Sequence, residues 1–142
     1  MRMLQLICTI LALFLFLPAA QAPKTTAIEV VDLYKAWDAA FNKRDAMALG
    51  DLYDEDSVLL PTDHQVIKDR RNIEKFFDGL FKAGFKNFKL ELVEAGGHGD
   101  MIFGAAKWSA DDGKGAHFGG VAMHVFTKQE DGTYKIRIQT WN

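Results

Sequence analysis

The apolar residues of this chain change their spacing at Phe85, and that change limits the folds that the chain can adopt. Before Phe85, apart from one short hairpin, they recur every three or four residues, as in an amphipathic helix. After Phe85 they alternate with polar residues, as in half-buried β-strands. Helices followed by a meander of strands predict an α+β fold, with helices packed on one face of a strongly curved, mainly antiparallel sheet.

Three helices are predicted before this change. Asp45 and Asp69 are expected to cap the second and third helices, and Gly84 is expected to end the third. The predicted helices are residues 27–45, 46–53 and 70–84.

The strand prediction contains three expectations about local geometry. Pro61–His64 should turn a small hairpin between the second and third helices, since Pro, Asp and a short polar run are typical of turns. Gly119 and Gly120 should mark a bend or bulge in the longest strand. In the last strand, alternation would group Arg137, Gln139 and Trp141 on one face, opposite Ile136, Ile138 and Thr140.

The first 22 residues have the order of a secretory signal peptide. Arg2 precedes an apolar run, 6–17, and residues 20–22 form a cleavage site of small residues, Ala-Gln-Ala. The run is shorter than the roughly 17–25 residues of a membrane-spanning helix, which disfavours the alternative of an uncleaved anchor. Residues 23–142 would then form one exported domain, periplasmic or secreted, and Cys8, the only cysteine, would leave with the signal.

The charges of the chain argue against several kinds of partner. There are 17 Lys and Arg against 19 Asp and Glu, and both signs are mixed along the sequence. No basic stripe indicates nucleic acid, and no cationic amphipathic helix indicates a membrane surface after signal cleavage. The four histidines, with Asp63 and Asp100, lack the spacing of a helical metal motif, so neither a metal nor another cofactor is expected.

Three segments of the sequence resemble segments of a known protein family. AWDAAFNKRDAMALGDLYDEDSVLLP resembles the opening helices of SnoaL-like proteins, which belong with ketosteroid isomerase to the nuclear-transport-factor-2-like superfamily. VEAGGHGDMIFGAAKW and DGTYKIRIQTWN resemble the later strands of that family. The resemblance covers residues 28–142. It implies a cone whose helices and concave sheet enclose an apolar pocket, and a homodimer through the outer face of the sheet.

The resemblance also implies where ketosteroid isomerase would keep its catalytic groups. Its carboxylate base matches Leu60, which cannot take a proton. Its oxyanion-hole tyrosine matches Trp37, whose indole N–H donates but cannot act as an acid. Its second donor falls near Met123 or His124. At least two of the three groups are absent, so ketosteroid isomerisation by that mechanism is not expected.

A few titratable residues remain as candidates for acid–base chemistry. His124 is the best candidate, because alternation along its strand would turn it toward the concave face. Asp63 and His64 could form a pair at the mouth of the cone, and Asp38 on the first helix could border the cavity. For His124 the alternatives are a histidine on the convex face or a buried one held by a neighbour. For the others they are ordinary turn residues and a solvated helix carboxylate.

Aromatic residues at inward positions predict the wall of the pocket, with core packing as the alternative for each. Gln139 stands where, by the resemblance, the family commonly carries an acidic residue two positions before its last tryptophan, and an amide cannot exchange a proton at neutral pH. The predicted lining residues are Tyr34, Trp37, Phe41, Tyr53, Leu60, Phe77, Phe81, Trp108, His124, Gln139 and Trp141.

Two functions from different classes fit these observations. The first is an exported binding domain that holds a small apolar or aromatic ligand without chemistry. The second is an isomerase, lyase or hydrolase that acts on a small cyclic or polyketide-like substrate with His124 as general acid or base. The first is preferred, because Leu60 replaces the catalytic carboxylate and no acid–base pair stands at a convincing spacing.

Overall fold

The computed structural model describes residues 24–142, and it confirms the α+β fold with three helices packed on a curved sheet. The signal-peptide prediction falls on residues 1–22, which lie outside the described residues. No helix within residues 24–142 is long and apolar enough to span a membrane. The elements are α1 (Lys24–Asn42), α2 (Ala46–Gly50), β1 (Tyr53–Leu60), β2 (Ile67–Lys68), α3 (Arg70–Lys82), β3 (Lys86–His98), β4 (Met101–Asp111), β5 (His117–Lys128) and β6 (Tyr134–Trp141).

The six strands form one sheet in the order β2-β1-β6-β5-β4-β3. All neighbours are antiparallel except β1 and β6, which run parallel. The sheet is therefore mainly antiparallel, as predicted. The final strand lies between β1 and β5 in the interior of the sheet, so both of its edges are hydrogen-bonded.

The helix boundaries follow from side chains that satisfy free backbone groups. Asp45 accepts a hydrogen bond from the Ala48 N–H at 2.9 Å, and Asp69 accepts one from the Asn72 N–H at 3.0 Å. Both are the predicted N-caps. The second helix is shorter than predicted because the chain turns at Asp51 and Tyr53 already pairs with Ile136 in the sheet.

The last strand does not alternate strictly, because Arg137 forms a bulge. Phe126 pairs with Ile136, whereas Val125 pairs with Ile138, so β6 carries one extra residue. The expected common face of Ile136 and Ile138 is therefore wrong: Ile136 is 3% exposed on the concave side and Ile138 is 39% exposed on the outer side.

Gly120 serves a close approach of the backbone and not the expected bulge. The pairing of β4 with β5 runs without interruption through Gly119 and Gly120. A Cβ at Gly120 would lie 2.0 Å from the carbonyl oxygen of Asn142. That same oxygen accepts a hydrogen bond from the Trp108 indole at 3.1 Å. Glycine thus lets Asn142 lie against the sheet and hold Trp108 in place.

The narrow end of the cone is filled by side chains. Tyr34 of α1 packs there with His124 and Phe126, whose ring centroids lie 5.0 Å and 6.3 Å from the Tyr34 ring. Gly104 of β4 pairs with His124, and a Cβ at Gly104 would lie 2.4 Å from the Tyr34 hydroxyl. The absent side chain lets α1 approach the sheet closely at this end.

Side chains of α1 cover the free edge of β3. Asn42 accepts a hydrogen bond from the Phe88 N–H and donates one to the Phe88 carbonyl, both at 2.8 Å. One helical turn earlier, both oxygens of Asp38 accept from the Leu90 N–H, at 3.1 Å and 3.2 Å. The helix therefore supplies partners to an edge that would otherwise be free to pair with another strand.

Candidate functional site

A cavity of about 330 Å³ lies between α1, α3 and the concave face of the sheet, toward the wide end of the cone. Its wall is almost entirely aromatic and aliphatic. The apolar lining residues are Trp37, Phe41, Pro61, Phe76, Phe77, Leu80, Phe85, Phe88, Trp108, Ala110, Phe118, Ala122 and Trp141. The polar lining residues are Thr62, Asp63 and Gln139.

The rings of the aromatic wall pack against one another. Trp37 is stacked on Phe41 with centroids 5.2 Å apart, and Trp108 lies parallel to Phe88 at 6.0 Å. Trp141 packs near Phe76 at 6.0 Å. Offset and edge-on pairs of this kind stabilise each ring by about 0.5–1.5 kcal/mol beyond its burial. The wall is therefore a shaped surface suited to flat apolar groups.

A hydrogen-bonded relay runs from the helix to the floor of the cavity. The Trp37 indole N–H donates to the Tyr53 hydroxyl at 3.1 Å, and the Tyr53 hydroxyl donates to the Gln139 side-chain oxygen. Tyr53 and Gln139 are buried, and burial raises the pKa of Tyr53 far above its usual range. The relay is thus composed of neutral groups at all ordinary pH values.

Asp63 is the one titratable side chain among the described lining residues of the cavity, and it lies at the mouth. Its two carboxylate oxygens accept from the Gln65 backbone N–H at 3.2 Å and from the Gln65 side-chain amide at 2.8 Å. Its neighbour His64 is exposed, has a backbone φ of 65° and does not line the cavity. The loop therefore does not bring Asp63 and His64 together as an acid–base pair on a bound ligand.

His124 faces the concave side of the sheet but lies behind the cavity, in the filled narrow end. It is 0% exposed, and its Nδ1 lies 3.2 Å from the Tyr34 hydroxyl. Its Nε2 has no hydrogen-bond partner among the described residues. Burial lowers the pKa of His124 to about 3, so the ring is neutral at physiological pH.

Asp38 also lies away from the cavity, at the edge of β3. Burial against the sheet raises the pKa of Asp38 to about 6, and the Leu90 N–H and the nearby Lys89 partly oppose that rise. The carboxylate is thus occupied by the strand edge that it covers. Within residues 24–142, no group of three or more His, Cys, Asp or Glu side chains is placed to hold a metal ion.

The cavity is lined by some of the residues that the sequence suggested and not by others. It includes Trp37, Phe41, Phe77, Trp108, Gln139 and Trp141, and it omits Tyr34, Tyr53, Leu60, Phe81 and His124.

The omitted residues lie elsewhere for identifiable reasons. Leu60 pairs with Thr140 on the outer face of the sheet, whereas the preceding Leu59 is buried on the concave side beside Gln139. Tyr53 stands behind Gln139 in the relay, and Phe81 packs edge-on against the far side of Phe41.

Several aromatic residues of the wall are not among the eleven predicted lining residues. Phe76 sits on the inward stripe of α3 and Phe88 on the alternating face of β3, so both could have been identified from spacing. Phe85 and Phe118 could not, because they adjoin turns. Their rings lie 6.2 Å apart at the mouth, where the loop after α3 meets the start of β5.

Comparison with known families identifies the chain. A family model described as a SnoaL-like domain matches residues 34–137. The chain belongs to the SnoaL-like family. The matched segment runs from Tyr34 on α1 to the bulge at Arg137, so it includes nearly the whole cone. A search of curated proteins finds no significant match.

Solved structures agree with this SnoaL-like fold. A nuclear-transport-factor-2-like protein of unknown function from Shewanella oneidensis is 16% identical, with a TM-score of 0.70 over 81% of this chain and 97% of its own. A ketosteroid isomerase-like protein from Erwinia carotovora is 14% identical, with a TM-score of 0.67 over 84% and 93%. A putative calcium/calmodulin-dependent protein kinase II association domain from Xanthomonas campestris is 25% identical, with a TM-score of 0.66 over 88% and 89%.

Proposed function

We propose that this SnoaL-like domain binds a small, apolar, ring-bearing ligand in its cavity and holds it without chemical change. The observation that carries the proposal is the wall itself, which surrounds about 330 Å³ with aromatic rings and places one neutral amide on the floor. Ligand sites are typically concave and apolar with a few placed polar groups. A flat ring system would bury its faces against the rings of the wall and exclude water from Trp108, which is only half-buried.

The placement of the titratable groups supports binding over catalysis. A general acid or base must lie within about 3 Å of the proton that it moves, or one water away. His124 and Asp38 do not line the cavity, and Asp63 is held by Gln65 at the mouth. The alternative, an isomerase, lyase or hydrolase that uses His124 on a cyclic or polyketide-like substrate, has no comparable geometric support.

Binding is tested by calorimetry and thermal denaturation with naphthalene derivatives, which match the flat aromatic wall. We expect saturable binding and a rise in the melting temperature, because a ligand that binds only the folded state stabilises it. Leu80→Trp should fill the cavity and abolish binding. Lys82→Trp, an exposed position on the same helix, should leave binding intact.

Mass spectrometry of the same mixtures separates the two functions. An unchanged ligand after prolonged incubation is the outcome expected of a binding domain. A product that forms with the wild type and not with His124→Gln would instead establish the enzyme. If no member of a broad panel of ring compounds binds to the wild type, the proposed function is wrong.

We also infer that the domain is exported and works as a homodimer. The signal-peptide pattern of residues 1–22 supports export to the periplasm or the medium. N-terminal sequencing of the mature protein tests it, and any start other than near Pro23 would contradict it. The dimer is supported by an exposed apolar patch on the outer face of the sheet, formed by Val93, Val121, Met123 and Ile138.

A further inference from the structure

The direction of the hydrogen bonds in the buried relay allows an inference about the ligand. This inference rests on the function proposed above. We propose that the ligand is an aromatic carbonyl compound whose neutral oxygen accepts a hydrogen bond from the side-chain N–H of Gln139. An aryl ketone, aldehyde or quinone has this chemistry.

The relay fixes which way the Gln139 amide points. The Trp37 indole can only donate, so the Tyr53 oxygen accepts from it and the Tyr53 proton must find another acceptor. Gln139 Oε1 is that acceptor. If the amide were flipped, its N–H groups would face Tyr53 and the buried phenol proton would lose its partner, which costs about 1–3 kcal/mol.

The amide nitrogen lies on the side of the Gln139 amide away from Tyr53, because the amide oxygen is the atom that meets Tyr53. Gln139 lines the cavity, and its Nε2 donates to no acceptor among the described residues. Of the side-chain polar atoms in the described part of the chain, only His124 Nε2 is both fully enclosed and without a partner. Gln139 Nε2 is therefore not sealed off by protein. It offers an N–H donor to whatever occupies the cavity.

The ligand group that meets Gln139 must be neutral. No Lys, Arg or His lies among the lining residues that the structure describes, so a buried carboxylate or sulfonate would have no cation beside it. Burial of an unpaired charge is strongly unfavourable. The Asp63 carboxylate at the mouth would also disfavour a negatively charged ligand. A carbonyl oxygen satisfies the Gln139 N–H without a counter-ion, whereas a pure hydrocarbon leaves the N–H unpaired.

The test compares two probes that differ in one atom position. 2-Acetylnaphthalene carries a C=O group where 2-isopropenylnaphthalene carries C=CH₂, and the two molecules have nearly the same shape. Calorimetry gives the dissociation constant of each, and their ratio measures the preference for the oxygen. In Gln139→Met we expect that preference to fall on the order of tenfold relative to wild type, the size of one hydrogen bond to a buried donor. We also expect 2-naphthoate to bind more weakly than the ketone.

Two further variants keep the test decisive. Gln129→Met makes the same chemical change near the β5–β6 turn, outside the cavity, and should leave the preference intact. Gln139→Met combined with Tyr53→Phe removes the N–H donor together with the phenol proton that Gln139 accepts, so it should also lose the preference even if Gln139→Met alone folds poorly. A preference that is unchanged in the folded Gln139 variants overturns the proposal.

A measurement on the unmodified protein is independent of these variants. The side-chain NH₂ resonances of Gln139 should move downfield in the ¹H–¹⁵N spectrum with the ketone and not with the alkene. Equal shifts with both probes would overturn the inference while leaving the binding function in place. Absence of binding by either probe and by every other ring compound would instead remove the proposed function itself.

Discussion

His124 shows how depth of burial can remove a histidine from acid–base chemistry while leaving it important for stability. The pKa of His124 is lowered to about 3 from an ordinary 6.5. Between these values the unfolded chain binds a proton that the folded chain does not. The free energy of unfolding therefore falls as the pH drops through this window, by about 1.4 kcal/mol per pH unit at most.

Asp38 changes the free energy of unfolding with pH in the opposite direction. Its pKa is raised to about 6, so the folded chain holds a proton that the unfolded chain has already lost above pH 4. The contribution of Asp38 is fully present below pH 4 and disappears as the pH rises through 6. The two groups partly cancel between pH 4 and 6, and a wild-type profile alone would conceal both.

A comparison of the wild type with His124→Gln isolates the histidine, because Asp38 contributes equally to both proteins. Glutamine keeps a polar partner for Tyr34 but does not titrate. We expect the stability of the wild type relative to the variant to decrease by about 1 kcal/mol per pH unit below pH 6.5. Urea denaturation followed by circular dichroism at pH 7.0, 5.5 and 4.5 measures it. Parallel profiles would contradict a buried neutral His124.

His124 also shows which features of a site can be predicted from the spacing of residues along a strand and which cannot. Alternation along β5 correctly turns His124 to the concave side, because successive side chains of a strand point to opposite faces. It does not indicate the depth of a residue along the cone. That depth depends on Gly104, which lets Tyr34 fill the narrow end, and no local pattern around His124 contains this information.

At the scale of the elements, side chains of α1 hydrogen-bond to the free edge of β3, where a further strand could otherwise pair. Asn42 and Asp38 lie one turn apart on the helix and meet alternate residues of the strand, Phe88 and Leu90. A free edge of this length is a template for pairing with other chains. The helix thus protects the edge at both positions, and one of them, Phe88, also forms part of the cavity wall.

Asn42→Ala should expose that edge. The loss of both hydrogen bonds to Phe88 should lower the free energy of unfolding by about 1–2 kcal/mol and increase aggregation. Lys43→Ala, its exposed neighbour on the chain, should change stability by about 0.5 kcal/mol or less. Chemical denaturation and light scattering measure the two effects. Equal behaviour of both variants would show that the edge needs no cover from Asn42.

Element identity was more predictable than strand register. The N-caps at Asp45 and Asp69 depend on contacts within three residues, so local sequence predicts them. The bulge at Arg137 depends on pairing with β5, which local sequence does not specify. For the same reason the match of Leu60 to a catalytic position was misleading, since the paired register places Leu60 on the outer face.

At the scale of the whole molecule, the outer face of the sheet presents an apolar patch that no helix within residues 24–142 covers. The patch is centred on Met123, which is 45% exposed, and it extends to Val93, Val121 and Ile138. The three described helices pack on the concave face, so a second copy is the partner that we propose for the outer face. Contacts through the patch would keep the cavity mouths of both copies accessible.

Met123→Glu should convert the proposed dimer to a monomer, because it would place a carboxylate at the centre of an apolar contact. Met47→Glu is the matched control, since Met47 is 72% exposed on α2, away from the sheet. We expect sedimentation velocity to show a dimer for the wild type and the control and a monomer for Met123→Glu. A monomeric wild type at tens of micromolar would contradict the dimer.

The aromatic wall has a consequence for optical spectroscopy. The sequence contains three tryptophans, and all of them, Trp37, Trp108 and Trp141, line the cavity. Indole emission from this protein therefore originates entirely at the cavity wall, with no background from distant sites. A ring compound that enters among these indoles should quench or shift the intrinsic fluorescence directly. The unlabelled protein can thus serve as its own sensor when candidate ligands are screened.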